Sequence, residues 1–338
     1  MRYQPPLWLP DGHSQTIWSA LCARRRRSSA QPLRRERWTT PDGDFVDVDR
    51  QQASSPARPL LVLFHGLEGS SQSHYAQAFA DWAHEQDLNF ALPHFRGCSG
   101  ELNRAPRAYH SGDHEEIQWL LQRFRSEHRA AGGGLLLAAG VSLGGNALMR
   151  WAGEHGEAAR EQADAIASIC SPLDLTQSGR AIGRGFNRQV YTRMFLRSMK
   201  PKAMAKWQQH PGLFSRERLL AARDLYEFDN VFTAPLHGFR NTDDYWFRAS
   251  AKPLMRAIRV PALALNARND PFVPAGSLPQ RAEVSSAVTL WQPEHGGHVG
   301  FARGRWPAHV RALPDAVGPW LIDAAGGNRS GFQEAKGG

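Results

Sequence analysis

The stretch Gly140-Val141-Ser142-Leu143-Gly144 constrains what this chain can fold into more than any other. An apolar run, Leu135-Leu136-Leu137-Ala138-Ala139, leads into it, and the helix-compatible Asn146-Ala147-Leu148-Met149-Arg150-Trp151 follows. Strand, Gly-x-Ser-x-Gly, helix is the context of a strained turn that lifts a serine hydroxyl above a sheet. The glycines are needed because a side chain at either position would strike the neighbouring strand or helix. The turn also sets the hydroxyl at a helix N-terminus, whose free N–H groups favour developing negative charge. Ser142 is therefore the candidate nucleophile.

A serine hydroxyl needs a base beside it, and the base needs an acid to orient it. In sheets built around such a turn, the acid and then the histidine follow the serine along the chain. Val260-Pro261-Ala262-Leu263-Ala264-Leu265-Asn266 reads as a short buried strand running into Ala267-Arg268-Asn269-Asp270-Pro271. Asp270 falls beyond the strand's C-terminal end, where open α/β sheets keep their sites. Asp-Pro also opens turns, and one residue can do both jobs. After a further strand, Ala287-Val288-Thr289-Leu290-Trp291, comes Glu294-His295-Gly296-Gly297-His298. His298 lies deeper in this loop, with glycines that permit close approach, and is the expected base. His295 is expected to face solvent or to support the loop.

The fourth part is a pair of oxyanion donors. Leu60-Leu61-Val62-Leu63-Phe64 is a continuous apolar strand followed by His65-Gly66-Leu67-Glu68-Gly69. Such a loop supplies the backbone N–H of the residue after the glycine, Leu67, and the residue after the nucleophile, Leu143, supplies the second. His65 is expected to hold the loop by hydrogen bonds rather than to react.

Between these landmarks strand and helix patterns alternate, which predicts an α/β fold with a mostly parallel central sheet flanked by helices. A hairpin is expected around Pro41-Asp42-Gly43, with helices over 73–86, 111–128 and 310–324. Residues 172–255 exceed what the sheet needs between two strands. Rich in Phe, Trp, Met and Arg, they are expected to form a helical cap over the pocket, with Met194, Phe195, Met199, Met204 and Trp207 facing an acyl chain. The expected organisation is a basic N-terminal arm (1–37), a core (38–171 and 256–325), the cap (172–255) and a disordered tail (326–338). Asp113-His114-Glu115-Glu116 carries metal-capable side chains but reads as a solvated helix start, and Cys98 reads as structural.

With these pieces in place the chain resembles the α/β-hydrolases. More narrowly, it is similar to the YheT-like predicted esterases, the AB hydrolase 4 family, over roughly residues 5 to 325. The resemblance rests on Gly12-His13-Ser14-Gln15-Thr16, His65-Gly66-Leu67-Glu68-Gly69-Ser70, Phe95-Arg96-Gly97-Cys98-Ser99-Gly100-Glu101 and Tyr109-His110-Ser111-Gly112. It rests equally on Gly140-Val141-Ser142-Leu143-Gly144-Gly145-Asn146, Asp270-Pro271 and Gly296-Gly297-His298-Val299-Gly300-Phe301. It implies a Ser142, Asp270, His298 charge-relay system and carboxylic-ester hydrolysis, with relatives acting on acylglycerols or phospholipids. No metal or organic cofactor is expected.

Charge placement adds a partner class. Of the formal net charge of +9, residues 1–37 carry eight Arg against Asp11 and Glu36, and residues 172–259 carry sixteen Lys or Arg against seven acids, so the remainder is mildly acidic. Basic residues on the arm and cap suggest attraction to an anionic membrane surface rather than to nucleic acid. No run of 18 apolar residues occurs, the first residues lack the apolar core of a signal peptide, and three scattered cysteines suit a reducing cytosol. The expected substrates are small-molecule or lipid esters of short to medium chain. The same residues would equally serve an acyltransferase, a thioesterase or an amidase, and a membrane-surface lipid-binding protein is the rival outside enzymes. Acyl length, head group and oligomeric state leave no mark in the sequence.

Overall fold

The computed structural model describes residues 3–23, 32–306 and 308–326. Arg24 to Arg27 and the expected disordered tail beyond residue 326 lie outside the described residues. The strands are β1 (Arg34–Thr39), β2 (Phe45–Gln51), β3 (Leu60–Phe64), β4 (Asn89–Pro93), β5 (Leu136–Val141), β6 (Ala165–Ile169), β7 (Ala262–Leu265) and β8 (Val288–Trp291). They form one sheet in the order β1-β2-β4-β3-β5-β6-β7-β8. The β1–β2 and β2–β4 pairs are antiparallel and the rest parallel.

The central strands are continuous apolar runs because both of their faces are covered. Leu60, Val62 and Phe64 of β3 face one core with Leu136 and Ala138 of β5. Helices α3 (His114–Ala130) and α4 (Leu143–His155) close that side through Ile117, Leu121, Phe124, Leu148 and Trp151. Leu61, Leu63, Leu137 and Ala139 face the other core. There α2 (His74–Glu85) and α12 (Ala312–Gly326) contribute Phe79, Trp82, Leu313, Val317 and Leu321. The alternation of strand side chains thus builds two layers of helix around one sheet.

Two features position the site. Between β6 and β7 the chain makes α5 (Leu175–Ile182), α6 (Gly185–Asn187), α7 (Arg193–Gln209), α8 (Arg216–Ala221), α9 (Leu225–Val231), α10 (Thr233–Leu236) and α11 (Thr242–Ala249). These helices carry small cores of their own, one of them around Leu196, Leu219 and Phe228. Near the start, inside the region read as an arm, α1 (Gly12–Leu21) is capped by Asp11 and packs against residues 296–301. Its buried residues are largely polar, which explains why apolar periodicity does not reveal it. Among the described residues no helix is long and apolar enough to cross a membrane.

The acidic run at the start of α3 corrects the sequence reading. Asp113 and Glu116 are buried rather than solvated. Arg107 pairs with Asp113, and Arg96 bridges Glu116 at 2.5 Å, Asp42 at 2.7 Å and Asp44 at 3.1 Å. Buried carboxylates require such partners, and here they pin the loop that follows β4.

Candidate active site

Ser142 sits between the end of β5 and the first residue of α4 with φ 53° and ψ −118°, a conformation that costs a non-glycine residue strain. Close packing on both sides holds it there. A Cβ on Gly140 would lie 2.5 Å from the Gly144 carbonyl oxygen, and one on Gly144 would lie 2.5 Å from that of His65. Small residues at these positions let β3, β5 and α4 meet, and the meeting sets the serine beside the loop that leaves β3.

Three chain-distant side chains converge at the C-terminal ends of the strands. His298 Nε2 lies 3.0 Å from Ser142 Oγ, and His298 Nδ1 lies 2.9 Å from Asp270 Oδ2. With Nδ1–H donated to the carboxylate, Nε2 accepts from the serine hydroxyl. Asp270 Oδ1 accepts the N–H groups of Phe272 at 2.8 Å and Val273 at 3.3 Å, so the residue also closes the turn that the Asp-Pro pair suggests. The Phe272 ring packs 4.2 Å from the imidazole. His295 is exposed and, among the described residues, its ring approaches the Asn269 amide at 3.5 Å.

The loop after β3 is built residue by residue. Tyr75 Oη accepts the Gly66 N–H at 2.9 Å, and Tyr109 Oη accepts the Glu68 N–H at 3.0 Å. The Leu67 N–H between them has no acceptor among the described residues. Leu67 and Leu143 both line the cavity at Ser142. Tyr109 also donates to Glu68 Oε1 at 3.0 Å, and Lys202 of α7 reaches Glu68 Oε2 at 3.0 Å. His65 is fully buried. Its Nε2 accepts the Phe95 N–H at 3.0 Å, which leaves Nδ1 to donate to the Gly66 carbonyl at 2.7 Å. Burial pushes its pKa down to about 3, so the ring stays neutral in its supporting role.

Sequence reasoning misses Tyr75 and the part played by Asn146. Asn146 donates to the Ser111 and Ala249 carbonyls at 2.8 and 2.9 Å and accepts the Ala251 N–H at 3.0 Å. It thereby ties α4 to the Tyr109–Gly112 loop and to the end of α11. A buried amide completing three hydrogen bonds has no local sequence signature.

The cavity above Ser142 is largely apolar, with Leu175, Ile182, Phe195, Met199, Leu225, Phe228 and Phe232 in its wall beside the charged Lys202, Lys206 and Asp229. Of the five candidate acyl-facing residues, Phe195 and Met199 line it. Met194 does not and is half-exposed; Met204 and Trp207 also lie off the cavity wall. The cause is helical phase. Phe195, Met199, Lys202, Ala203 and Lys206 share the cavity face of α7, and the other three point elsewhere. Composition marks the segment as apolar without fixing which face turns inward. Cys98 is buried, and burial raises its thiol to about 12, consistent with an inert structural role. Asp229 is a carboxylate in the cavity wall. It accepts from Thr233 Oγ1 at 2.6 Å and Trp246 Nε1 at 2.9 Å, and burial raises its pKa to about 6.

Comparison with known proteins agrees with this architecture. Residues 59–304 match the family model described as alpha/beta hydrolase fold. The chain is 35% identical over 313 residues to "Putative esterase YheT" of Escherichia coli (strain K12), covering 91% of this chain and 89% of that one. It is 27% identical over 319 residues to phospholipase ABHD3 of Homo sapiens, covering 90% and 75% of the two chains. Among solved structures, the Pyrococcus furiosus esterase Pf2001 superposes with a TM-score of 0.52 at 15% identity, over 88% of this chain and 91% of the other. The chain therefore belongs to the α/β-hydrolase fold family, and within it to the YheT-like esterases.

Proposed function

We propose that this protein hydrolyses carboxylic esters through an acyl-enzyme on Ser142. The observation that carries the reading is the unbroken hydrogen-bonded line from Ser142 Oγ through His298 to Asp270, opening into an apolar cavity. His298 takes the serine proton as the oxygen attacks the ester carbonyl. Asp270 holds the ring in the required tautomer and stabilises the imidazolium. The Leu67 and Leu143 N–H groups receive the oxyanion, where loss of one such donor typically costs about 3 kcal/mol. His298 then protonates the leaving alcohol, and a water repeats the sequence to release the acid. The helices between β6 and β7 act as a cap whose apolar wall accepts an aliphatic chain, which favours short- to medium-chain and lipid esters over polar ones. The test is a panel of p-nitrophenyl esters from acetate to palmitate with monoacylglycerols and phospholipids, run alongside a fluorophosphonate probe. Ser142→Ala should remove both turnover and labelling. Labelling of the variant at one probe per chain would move the nucleophile elsewhere.

A second layer of the reading is lipid-surface contact, favoured by a specific patch. Phe186, Val190 and Met194 are exposed near the start of the cap, beside the exposed Arg184, Arg193 and Arg197. Apolar tips between guanidinium groups suit an anionic interface. Phe186 lies 4.6 Å from His13, and Tyr191 in the same segment packs on Phe272, which packs on His298. The patch thus stands next to the catalytic side of the molecule. Sedimentation with anionic vesicles should show binding that falls with salt and with Met194→Ser, whereas equal binding to neutral vesicles would remove the electrostatic part.

A further inference from the structure

We infer that α1 is a positioning element for the catalytic base, with Gln15 and Thr16 acting through His298; this rests on the esterase reading above. The loop carrying His298 is held in an unfavourable backbone conformation. Gly296, Gly297, Val299 and Phe301 have φ of 149°, 57°, 57° and 34°. A positive φ at a β-branched residue such as Val299 is a genuine outlier, and such outliers persist only where the surroundings over-determine them.

The surroundings here are α1. Thr16 Oγ1 accepts the backbone N–H of His298 itself at 2.8 Å while donating to the Gly12 carbonyl at 2.6 Å. Gln15 Oε1 accepts the Gly296 N–H at 2.8 Å and an Asn269 side-chain N–H at 3.1 Å. Asn269 in turn accepts the Gly297 N–H at 3.0 Å. Ser19 Oγ donates to the Gly300 carbonyl at 2.7 Å. The three successive N–H groups from Gly296 to His298 are therefore all received by side chains. Gln15 is fully buried, and its one carbonyl oxygen joins the loop of Asp270 to the loop of His298. The fit is close. A Cβ on Gly297 would lie 2.7 Å from the Gly12 carbonyl oxygen, and one on Gly300 would lie 2.8 Å from that of Gln15.

Neither side chain touches the reacting atoms, so both are positioning residues. Their loss misplaces the imidazole between Ser142 and Asp270, and misplacement near 1 Å costs about 10²-fold in rate. Thr16→Val keeps the shape of the side chain and removes the acceptor, whereas Thr16→Ser keeps the acceptor. The assay is steady-state hydrolysis of a p-nitrophenyl ester, with the rate of fluorophosphonate labelling and the melting temperature measured on the same full-length proteins. Thr16→Val should lower kcat and the labelling rate by about 10- to 100-fold with KM within about threefold. Thr16→Ser should restore both to within about threefold of the parent. In a His298→Ala background Thr16→Val should add nothing, because the base it positions is already gone. The inference is overturned if Thr16→Val lowers the melting temperature with kcat unchanged, if Thr16→Ser fails as badly as Thr16→Val, or if the loss adds to that of His298→Ala. Should Thr16→Val not fold, Gln15→Met measured the same way carries the test. Failure of the esterase reading looks different, because the parent protein would then not label at Ser142 at all.

Discussion

Gly144→Ala tests whether close packing at the elbow is what sets the catalytic geometry. Gly144 lies in the first turn of α4, where its backbone poses no obstacle to alanine, so the perturbation is purely spatial. The added carbon would meet the His65 carbonyl oxygen at 2.5 Å and that of Phe64 at 2.7 Å. Non-bonded contacts of carbon settle at about 3.5 Å, so α4 and the end of β3 must separate by about 0.5–1 Å. Overpacking of this kind costs about 1–3 kcal/mol of stability. On the proposed mechanism the catalytic penalty is of the same order but arises differently, because β3 leads into the loop of Leu67 and α4 begins with Leu143, the two proposed oxyanion donors. Pulling them apart would open that proposed donor pair. A loss of about 10²-fold in kcat, or about 2.7 kcal/mol, is expected well below the melting temperature. The assay is hydrolysis of a short p-nitrophenyl ester with the melting temperature read in parallel. Gly134→Ala is the control, since no described residue lies within 4 Å of its added carbon. A Gly144→Ala enzyme that keeps kcat within about threefold would refute the argument that spacing between β3 and α4 fixes the donor geometry.

Three further outcomes follow from the site. His298→Ala should lower kcat by several orders of magnitude and His295→Ala by less than about tenfold, read on the same soluble ester; the reverse order would reassign the base. Met199→Trp, on the cavity wall, should reduce kcat/KM for long acyl chains about 10- to 100-fold more than for acetate, whereas Met204→Trp, off that wall, should leave the chain-length profile unchanged. Asp229 has a folded pKa raised to about 6, so its contribution to stability is full below the ordinary carboxylate range and is lost as pH rises through 6. Asp229→Asn keeps the Trp246 bond through its oxygen and can donate to Thr233, so it should raise the melting temperature at pH 8, by the equivalent of about 2–3 kcal/mol, and change little at pH 4; a destabilised variant at pH 8 would show that the ionised carboxylate is needed there.

What was legible in the sequence was whatever local pattern controls. Continuous apolar runs mark β3, β5 and β7 because a covered parallel sheet has no polar face. The elbow declares itself because its glycines and serine are adjacent in the chain. Ser142, Asp270 and His298 could be nominated because each stands just beyond a readable strand. The rest depends on partners far away in sequence. Asp113 and Glu116 look like a solvated helix start until Arg107 and Arg96 are brought to them. The inward face of α7 is chosen by packing between helices, so composition selected Phe195 and Met199 together with three residues that point away. The role of α1 was invisible for a related reason. Gln15, Thr16 and Ser19 are buried against loop backbone rather than in an apolar core, so the face of α1 that meets the His298 loop carries no hydrophobic stripe to announce it.

The distribution of backbone strain connects these observations. Non-glycine residues with positive φ follow the C-terminal ends of four strands: Glu68 after β3, Ser142 after β5, Cys170 after β6, and Val299 and Phe301 after β8. Each such residue costs free energy, about 1–3 kcal/mol, that the fold must offset elsewhere. The offsets are specific. Tyr109 and Lys202 hold Glu68, the glycines of the elbow hold Ser142, and α1 holds the loop of Val299. Cys170 Sγ, 3.9 Å from the Gly297 carbonyl, links the third site to the fourth. Strain placed where loops must converge, and held by side chains that do not themselves react, is how a rigid sheet would present the proposed nucleophile, base and two N–H donors from separate segments of chain. On the inference above, the short helix near the start of the chain would be as much a part of the active site as the strands are. Sites that lose such supports should lose rate before they lose the fold, because the two apolar layers that stabilise the sheet do not depend on them.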